Sequence, residues 1–401
     1  MPARPLVLVS GKDVLSGVGG HETYVRAHAL AAARLGLAAH VFCAGSRART
    51  TTTDFGVVHE VPAPLPVALH GPVLAAAIVR CVGRRAGPIG IHGFAAWAAA
   101  GVLASRALAR RGVAAIPVAS AYGTRAYEVA AMQDGLGAHL DRAQRVRYRA
   151  WLAWIRAVDD RVEGWGYRGS RAVLVNYASV ERILRSAYAL GAAVRRVPYA
   201  SVDAFARSPP PQAARLDDVP GPPLVLAVSR HDPRKGLDVL LRALADVASH
   251  GVAFRACLVG PGRLLDAHRR LAARLGLAAR VAIPGRVEDV RRHFAAADVF
   301  VLPSLAEASG SVSVLEALRA GVAVIASACD GIPEDLTDGA DALLVAPGDA
   351  RALAVALRRL LTDAALRARL AAGARRAHDE RFSATRFVDG LGAVYGELGI
   401  L

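Results

Sequence analysis

Residues 299–325 read VFVLPSLAEASGSVSVLEALRAGVAVI. Val299 to Leu302 is an uninterrupted apolar run of strand length, followed by a proline turn at Pro303. Glu307 and the small residues through Ser311 read as a loop, Val312 to Ala320 as a short helix, and Ala323 to Ala326 as the next strand. Apolar strands joined through a helix are the βαβ unit of a parallel sheet, buried on both faces.

The same alternation extends in both directions. Upstream lie strand Leu224 to Ser229, helix Gly236 to His250, strand Phe254 to Gly260, helix Leu264 to Leu275, strand Val281 to Pro284 and helix Val287 to Ala296. Downstream lie strand Ala342 to Val345 and helices Ala350 to Thr362, Ala364 to His378 and Ala384 to Leu398. A proline-rich stretch up to Pro223 interrupts the pattern and reads as a linker. Before it the alternation is already running. Strand Leu6 to Ser10, helix His21 to Leu35, strand Ala39 to Cys43, strand Ile89 to His92, helix Ala95 to Arg110, and strands Ile116 to Ala121 and Ala172 to Asn176 follow in order. The expected class is α/β, with two doubly wound Rossmann-like halves facing a central cleft. The boundaries expected are 1–205 for the first domain, 206–223 for the linker, 224–383 for the second domain, and 384–401 for a C-terminal helix that could cross back to the first.

The 401 residues are 54% hydrophobic and 21% charged, which excludes disorder, collagen and coiled coil as the main architecture. Cys43, Cys81, Cys257 and Cys329 form no CxxC pair, so spacing alone gives no zinc site, and a reducing cytoplasmic compartment fits. The N-terminus runs directly into a short strand rather than a signal peptide. Two uncharged stretches, Val61 to Val79 and Ala86 to Ser105, are broken by prolines and glycines and are not read as membrane spans.

The net charge of +16 rests on arginine almost alone; the only lysines are Lys12 and Lys235. Such a charge suits nucleic acid, an anionic membrane or phosphorylated substrates, and also follows from a GC-rich coding bias. No nucleic-acid module with interleaved aromatics is present, so no nucleic acid is expected.

Several turns at strand ends suit a phosphorylated ligand. Arg230 and Lys235 flank a helix start at Gly236, where two cations, backbone N–H groups and the helix dipole suit a diphosphate. Gly260 ends one strand, and Val287 follows the end of another. Ser309, Gly310, Ser311 and Val312 leave N–H groups open at a helix start. Glu316, on that helix, could accept two vicinal hydroxyls.

In this order, Ser-Arg-x-x-x-x-Lys-Gly, Val-Gly-x-Gly, Gly-x-Val, Ala-Asp-Val-Phe-Val-Leu-Pro-Ser and Leu-Glu-Ala-Leu-x-Ala-Gly resemble the retaining glycosyltransferases of family 4, with the GT-B fold. The resemblance covers essentially the whole chain and is strongest from Leu224 to Val345. It implies that Arg230 and Lys235 hold the donor diphosphate, that Glu316 binds ribose, and that the first glutamate of an E-x7-E motif contacts the donor sugar. Eight residues separate Glu307 from Glu316, so either Glu307 keeps that role across a one-residue bulge or Ala308 occupies the position. In the first half Gly19 and Gly20, with Lys12 just upstream, resemble the family's glycine loop near donor phosphate and acceptor. His92 resembles a strand-end histidine of the family, or else is a turn histidine. Tyr122 stands where many members carry a histidine.

The resemblance implies transfer of a sugar from a nucleoside-diphosphate sugar, a UDP-hexose such as UDP-GlcNAc before a GDP-sugar, to an acceptor hydroxyl. The nucleotide sugar is a co-substrate; no cofactor is implied and the transfer would be metal-independent. The acceptor is a small molecule, an aminocyclitol of antibiotic biosynthesis, or a glycan of surface polysaccharide or glycolipid assembly. Asp141 to Arg156 carries Arg142, Arg145, Arg149 and Arg156 roughly along one helical face, with Tyr148, Trp151 and Trp154. That segment reads either as a surface helix with a tryptophan core face or as a contact with anionic lipid, which would place a cytoplasmic protein at the inner membrane face. A nucleic-acid-binding protein and a non-catalytic GT-B relative are the rival classes.

Overall fold

The structure is a computed structural model. It describes residues 3–11, 13–15, 19–62, 70–83, 88–125, 127, 129, 142–190, 193–205, 221–307 and 309–401. Lys12, Ala308, Asp141 and most of the proline-rich linker lie outside the described residues.

The described residues separate into two units. The first takes the chain as far as Phe205 and again from Ser383 to Leu401. Its strands are β1 (Arg4–Ser10), β2 (Leu37–Gly45), β3 (Arg49–Thr53), β4 (Gly56–Pro62), β5 (Ile89–Phe94), β6 (Ala115–Ala121), β7 (Ala172–Val175) and β8 (Ala193–Arg196). They form one sheet in the order β3-β4-β2-β1-β5-β6-β7-β8, parallel except where β3 pairs antiparallel with β4. All six residues of β5 and the last five of β1 are buried. Helices His70–Val82 and Ala98–Ala109 pack Leu74, Ile78, Ala100 and Leu108 against Val7, Val9 and Ile91. The β3–β4 hairpin was not legible, because a run of threonines followed by Asp-Phe-Gly lacks an apolar strand signature. The helix Ala384–Glu397 belongs to this unit, where Tyr395 and Phe387 are fully buried.

The second unit runs to Phe382. Its strands are β9 (Leu224–Val228), β10 (Arg255–Val259), β11 (Val281–Gly285), β12 (Val299–Leu302), β13 (Ala323–Ser327) and β14 (Ala342–Val345). They form an all-parallel sheet in the order β11-β10-β9-β12-β13-β14. Every residue of β12 and β13 is buried, as a sheet covered on both faces requires. Helix Leu237–Ser249 turns Leu237, Leu240, Leu241, Leu244 and Val247 onto that sheet, the spacing of one helical face. The sequence reading starts the β11–β12 helix at Val287; the structure starts it at Arg291, whose N–H donates to Asp289 Oδ1 at 3.0 Å.

Candidate functional site

In the second unit the chain builds outward from β9 through β10 to β11, then returns to the other side of β9 as β12. Strand order therefore reverses between β9 and β12, and open α/β sheets bind ligands outside the strand C-termini at such a point. The residues that follow these two strands meet there. After β9, Pro233–Lys235 forms a 3-10 turn that buries Arg234 and Lys235. After β12, Ser304 and Glu307 are buried as well.

Lys235 Nζ lies 2.6 Å from both carboxylate oxygens of Glu307. The two side chains are 10% and 4% exposed, so this is an interior ion pair. Ser304 Oγ donates to Glu307 Oε1, and the Glu307 N–H donates to Asp330 Oδ2 at 2.6 Å. Burial pulls the Lys235 ammonium below its usual value; Glu307 pulls it back up, and Arg234 and Arg230 add to the lowering. The Arg234 carbonyl accepts from the Leu305 N–H at 2.7 Å, tying the two turns together. Gly236 is what permits their approach. Its φ is +60°, and a Cβ there would stand 2.0 Å from the Pro303 carbonyl oxygen.

The sequence reading brings most of its donor residues to this end of the sheet. Arg230 is largely exposed and reaches Asp232 at 3.3 Å, so it stands at the solvent edge of the Lys235–Glu307 pair. Gly260 has φ +139°, and its missing side chain makes room for the Ser229 carbonyl, 2.0 Å from where a Cβ would sit. Its smallness makes room for the neighbouring turn. Ser311 precedes helix Val312–Ala320 in an extended conformation, and its hydroxyl bonds Ser313 Oγ at 2.9 Å instead of capping the helix. The first-turn N–H groups at Val312 are therefore not capped by that side chain. Ser309 and Gly310 are half-buried just before it. Glu316 lies half-buried on this helix between buried Leu315 and Ala317, and Val287 is half-buried beyond β11. Ala308, the alternative to Glu307, is outside the described residues. Arg234 was missed, although it stands beside Lys235; nothing in its spacing separates it from the other arginines.

In the first unit the order reverses between β1 and β5. Gly19 and Gly20 open helix Gly20–Arg34 at the end of β1, with Gly19 extended at the N-cap. His21, missed by the sequence reading, follows them. Its Nε2 lies 3.0 Å from Ser10 Oγ, and its ring meets Trp97 and Tyr122 edge-on at 5.3 and 6.1 Å. The Trp97 indole N–H and the Tyr122 hydroxyl are buried without a hydrogen-bond partner among the described residues. Such groups cost about 1–3 kcal/mol each unless something satisfies them. Burial drives the Tyr122 hydroxyl well above its usual range, so it remains protonated.

His92 needs correction. Rather than offering a ring nitrogen at a strand end, it is fully buried. Nδ1 lies 2.6 Å from Tyr395 Oη and Nε2 2.8 Å from Ser120 Oγ. Burial, then neighbouring His28, holds it well below the usual imidazole value. With both nitrogens occupied it serves to dock the C-terminal helix. The arginine helix departs from its core-face reading too. Arg142, Arg145, Arg149 and Arg156 are exposed, and Trp151 and Trp154 are 37% and 45% exposed, while Leu152 and Ile155 anchor it. Among the described residues no helix is long and apolar enough to cross a membrane.

Known proteins share part of this sequence and the fold of both units. Residues 222–363 match the family described as Glycosyl transferases group 1. The chain is 36% identical over 158 residues to the lipopolysaccharide core biosynthesis glycosyltransferase LpsE of Rhizobium meliloti, covering 39% of this chain and 45% of that protein. It is 34% identical over 209 residues to the GDP-mannose-dependent alpha-(1-6)-phosphatidylinositol monomannoside mannosyltransferase of Mycolicibacterium smegmatis, covering 49% and 54%. The chain thus spans about half the length of these relatives. Among solved structures, sucrose-phosphate synthase from Thermosynechococcus elongatus superposes with a TM-score of 0.77 at 23% identity, covering 99% of both chains. Anabaena Alr3699/HepE in complex with UDP and glucose gives 0.71 at 18% identity, covering 98% of this chain and 99% of that one. Those likenesses extend the shared fold over both units. The family match spans the β9–β12 switch point of the second unit, and the structural likenesses show the GT-B fold over both units.

Proposed function

We propose that the chain is a retaining glycosyltransferase of family 4 type that moves a hexose from a UDP-sugar to an acceptor hydroxyl. The observation that carries this reading is the buried Lys235–Glu307 pair at the β9–β12 switch point. A lysine turned inward there offers its charge to a diphosphate, and Arg230 adds a second cation at the rim. Glu307, held by Lys235 and Ser304, then faces the transferring sugar, and Glu316 takes the ribose. UDP in the Anabaena structure supports the choice of base. The GDP-mannose named for the mycobacterial relative makes GDP the competitor to test.

Departure of UDP places two negative charges on the leaving phosphate. Lys235, Arg230 and the uncapped N-terminus of helix Val312–Ala320 stabilise them, so the transfer requires no added metal. The acceptor hydroxyl gives its proton to that phosphate on the same face of the sugar, and the anomeric configuration is retained. In the first unit the Tyr122 hydroxyl and Trp97 N–H are the groups left to bind acceptor oxygens, next to His21. This polar and aromatic lining suits a small polyol such as an aminocyclitol. A glycolipid acceptor is the second reading, favoured by Trp151 and Trp154 exposed on an arginine-rich helix, which would bring a cytoplasmic enzyme to an anionic surface.

The test is calorimetry with UDP and GDP, followed by rates across a panel of UDP-sugars and product analysis by NMR and mass spectrometry. A product with inverted configuration, or activity abolished by EDTA and restored by magnesium or manganese, refutes the mechanism. Absence of transfer with every donor, despite UDP binding, assigns the chain to the non-catalytic relatives. Vesicle sedimentation with and without anionic lipid decides the second reading.

A further inference from the structure

The first unit holds a cluster that the glycosyltransfer chemistry does not use. His40 lies on β2 and His59 on β4, and Cys81 on helix His70–Val82, which packs over the same sheet. In the β2–β4 ladder His40 pairs with Val57 and Phe42 with His59, so the two histidines are diagonal neighbours on one sheet face. His40 Nδ1 stands 3.1 Å from His59 Nε2, and one ligand atom from each of the three residues falls within 4.8 Å of the others.

We propose that His40, His59 and Cys81 form a zinc site, with water in the fourth position. Two imidazole nitrogens and a thiolate are a donor set that zinc prefers. With Zn–N near 2.0–2.1 Å and a tetrahedral angle, two nitrogen ligands stand about 3.3 Å apart, close to the separation already present. The sulfur lies no more than 4.8 Å from either nitrogen, so it must close by at most about 1.3 Å to complete the set, which a side-chain rotation of Cys81 at the exposed end of its helix supplies.

The surroundings favour coordination. Thr50 Oγ1 lies 3.2 Å from His59 Nδ1, so that nitrogen can donate to the hydroxyl while the Nε2 lone pair faces His40 Nδ1, and metal binding tilts the two nearly parallel rings to aim both nitrogens at one ion. A partner on the remote nitrogen is the usual way a ligating histidine is held. Phe42 stacks on the His59 ring at 4.5 Å and fixes its plane. His40 gives up its Nδ1 proton by changing tautomer, and Cys81 binds as thiolate with its proton passing to solvent. A bound ion would fasten strands β2 and β4 to the helix above them. Residues 40, 59 and 81 lie too far apart in sequence for a ligand-spacing motif, which is why sequence inspection gives no metal site.

The test uses the full chain, without a histidine tag, stripped of metal and titrated with cobalt(II) and then zinc(II). One equivalent of cobalt should bind and give ligand-field bands with a thiolate-to-cobalt charge-transfer band, which zinc should bleach. Cys81→Ser should lose the charge-transfer band and bind zinc at least about tenfold more weakly, with unchanged far-UV circular dichroism. His59→Gln should weaken zinc to a similar degree. No saturable uptake of either metal, or a charge-transfer band that survives Cys81→Ser, overturns the proposal and leaves the histidines as a hydrogen-bonded pair.

Discussion

Removing either member of the Lys235–Glu307 pair should cost far more than a surface ion pair would. Both side chains are nearly enclosed, and the ammonium touches both carboxylate oxygens at 2.6 Å. At an effective dielectric near 20, two charges about 3 Å apart attract by roughly 5 kcal/mol, against a desolvation cost of several kcal/mol per ion. The net worth of the pair is therefore small, yet either charge left alone is uncompensated. Truncating one partner of a buried pair costs about 3–5 kcal/mol. Lys235→Met removes the cation and keeps the stem; Glu307→Gln removes the anion and keeps an acceptor, so its loss should fall at the lower end. Removing both charges should restore most of what each single change loses. The coupling from a double-mutant cycle in urea should be about 2 kcal/mol or more. A loss of 3 kcal/mol in a unit this size lowers Tm by roughly 6–12 °C. Ligand affinity separates the roles further. Lys235→Met should weaken UDP at least about tenfold, because a charge-assisted contact is worth roughly 1.5–3 kcal/mol. Glu307→Gln should keep UDP affinity, since it frees the ammonium, while turnover of the sugar nucleotide falls. Additive single losses, or a Lys235→Met cost below about 1 kcal/mol, would refute the buried-pair argument. Unchanged UDP affinity in Lys235→Met would remove the lysine from the donor site.

Gly236→Ala should destabilise by more than about 1 kcal/mol, because it sets a methyl against the Pro303 carbonyl at a φ of +60°; urea unfolding with no shift in midpoint would show that the two turns can part freely. Glu316→Gln should lose UDP affinity with little change in the urea midpoint, replacing an ionised acceptor of two hydroxyls by an amide; full calorimetric affinity would take Glu316 off the ribose. Glu163 supplies a pH test. Its carboxylate accepts from Tyr167 Oη, Tyr188 Oη and the Arg125 N–H, yet burial outweighs these bonds and pushes it up to about 7. The folded state thus holds a proton that the unfolded chain releases near pH 4.5, so its stabilising effect is complete below that pH and is lost as pH rises through 7. The loss is about 3 kcal/mol, and a Glu163→Gln variant with the same pH profile as wild type would contradict it.

What the sequence makes legible, and what it hides, follows from the distances over which each signal acts. The parallel strands of the second unit are continuous apolar runs, and their order along the chain is enough to expect a doubly wound sheet. Lys235 stands out because arginine is otherwise nearly universal, and the close fit of Glu307 to its ammonium supplies a physical reason for a compact cation there. His92 shows the opposite case. A histidine at the end of a buried strand looks the same whether it meets a ligand or the core. Its fate is decided by Tyr395, some three hundred residues later, whose hydroxyl claims Nδ1. His21 and Trp97 carry no pattern of their own, and they come together because β1 and β5 are adjacent only in the folded sheet.

Under the proposed function the two units divide the chemistry, in a way that follows from the strand orders. In each sheet the reversal point gathers residues from two strands that are distant in sequence. The second unit pairs opposite charges there, Lys235 on Glu307, which satisfy one another. The first has no charge pair at its reversal point among the described residues. There the Tyr122 hydroxyl and Trp97 N–H stay unsatisfied beside an aromatic wall. A charged, self-paired site suits an anionic donor, whose binding must displace one ion by another. Neutral, unpaired groups suit an uncharged polyol, whose hydroxyls offer the missing bonds without the desolvation of an ion. Acceptor analogues lacking one hydroxyl should accordingly lose affinity in the wild type and lose little more in Tyr122→Phe, whereas Tyr122→Phe should leave UDP binding unchanged. If the substitution and the missing hydroxyl instead weaken binding additively, the Tyr122 hydroxyl does not meet the acceptor, and the division of labour between the two reversal points fails.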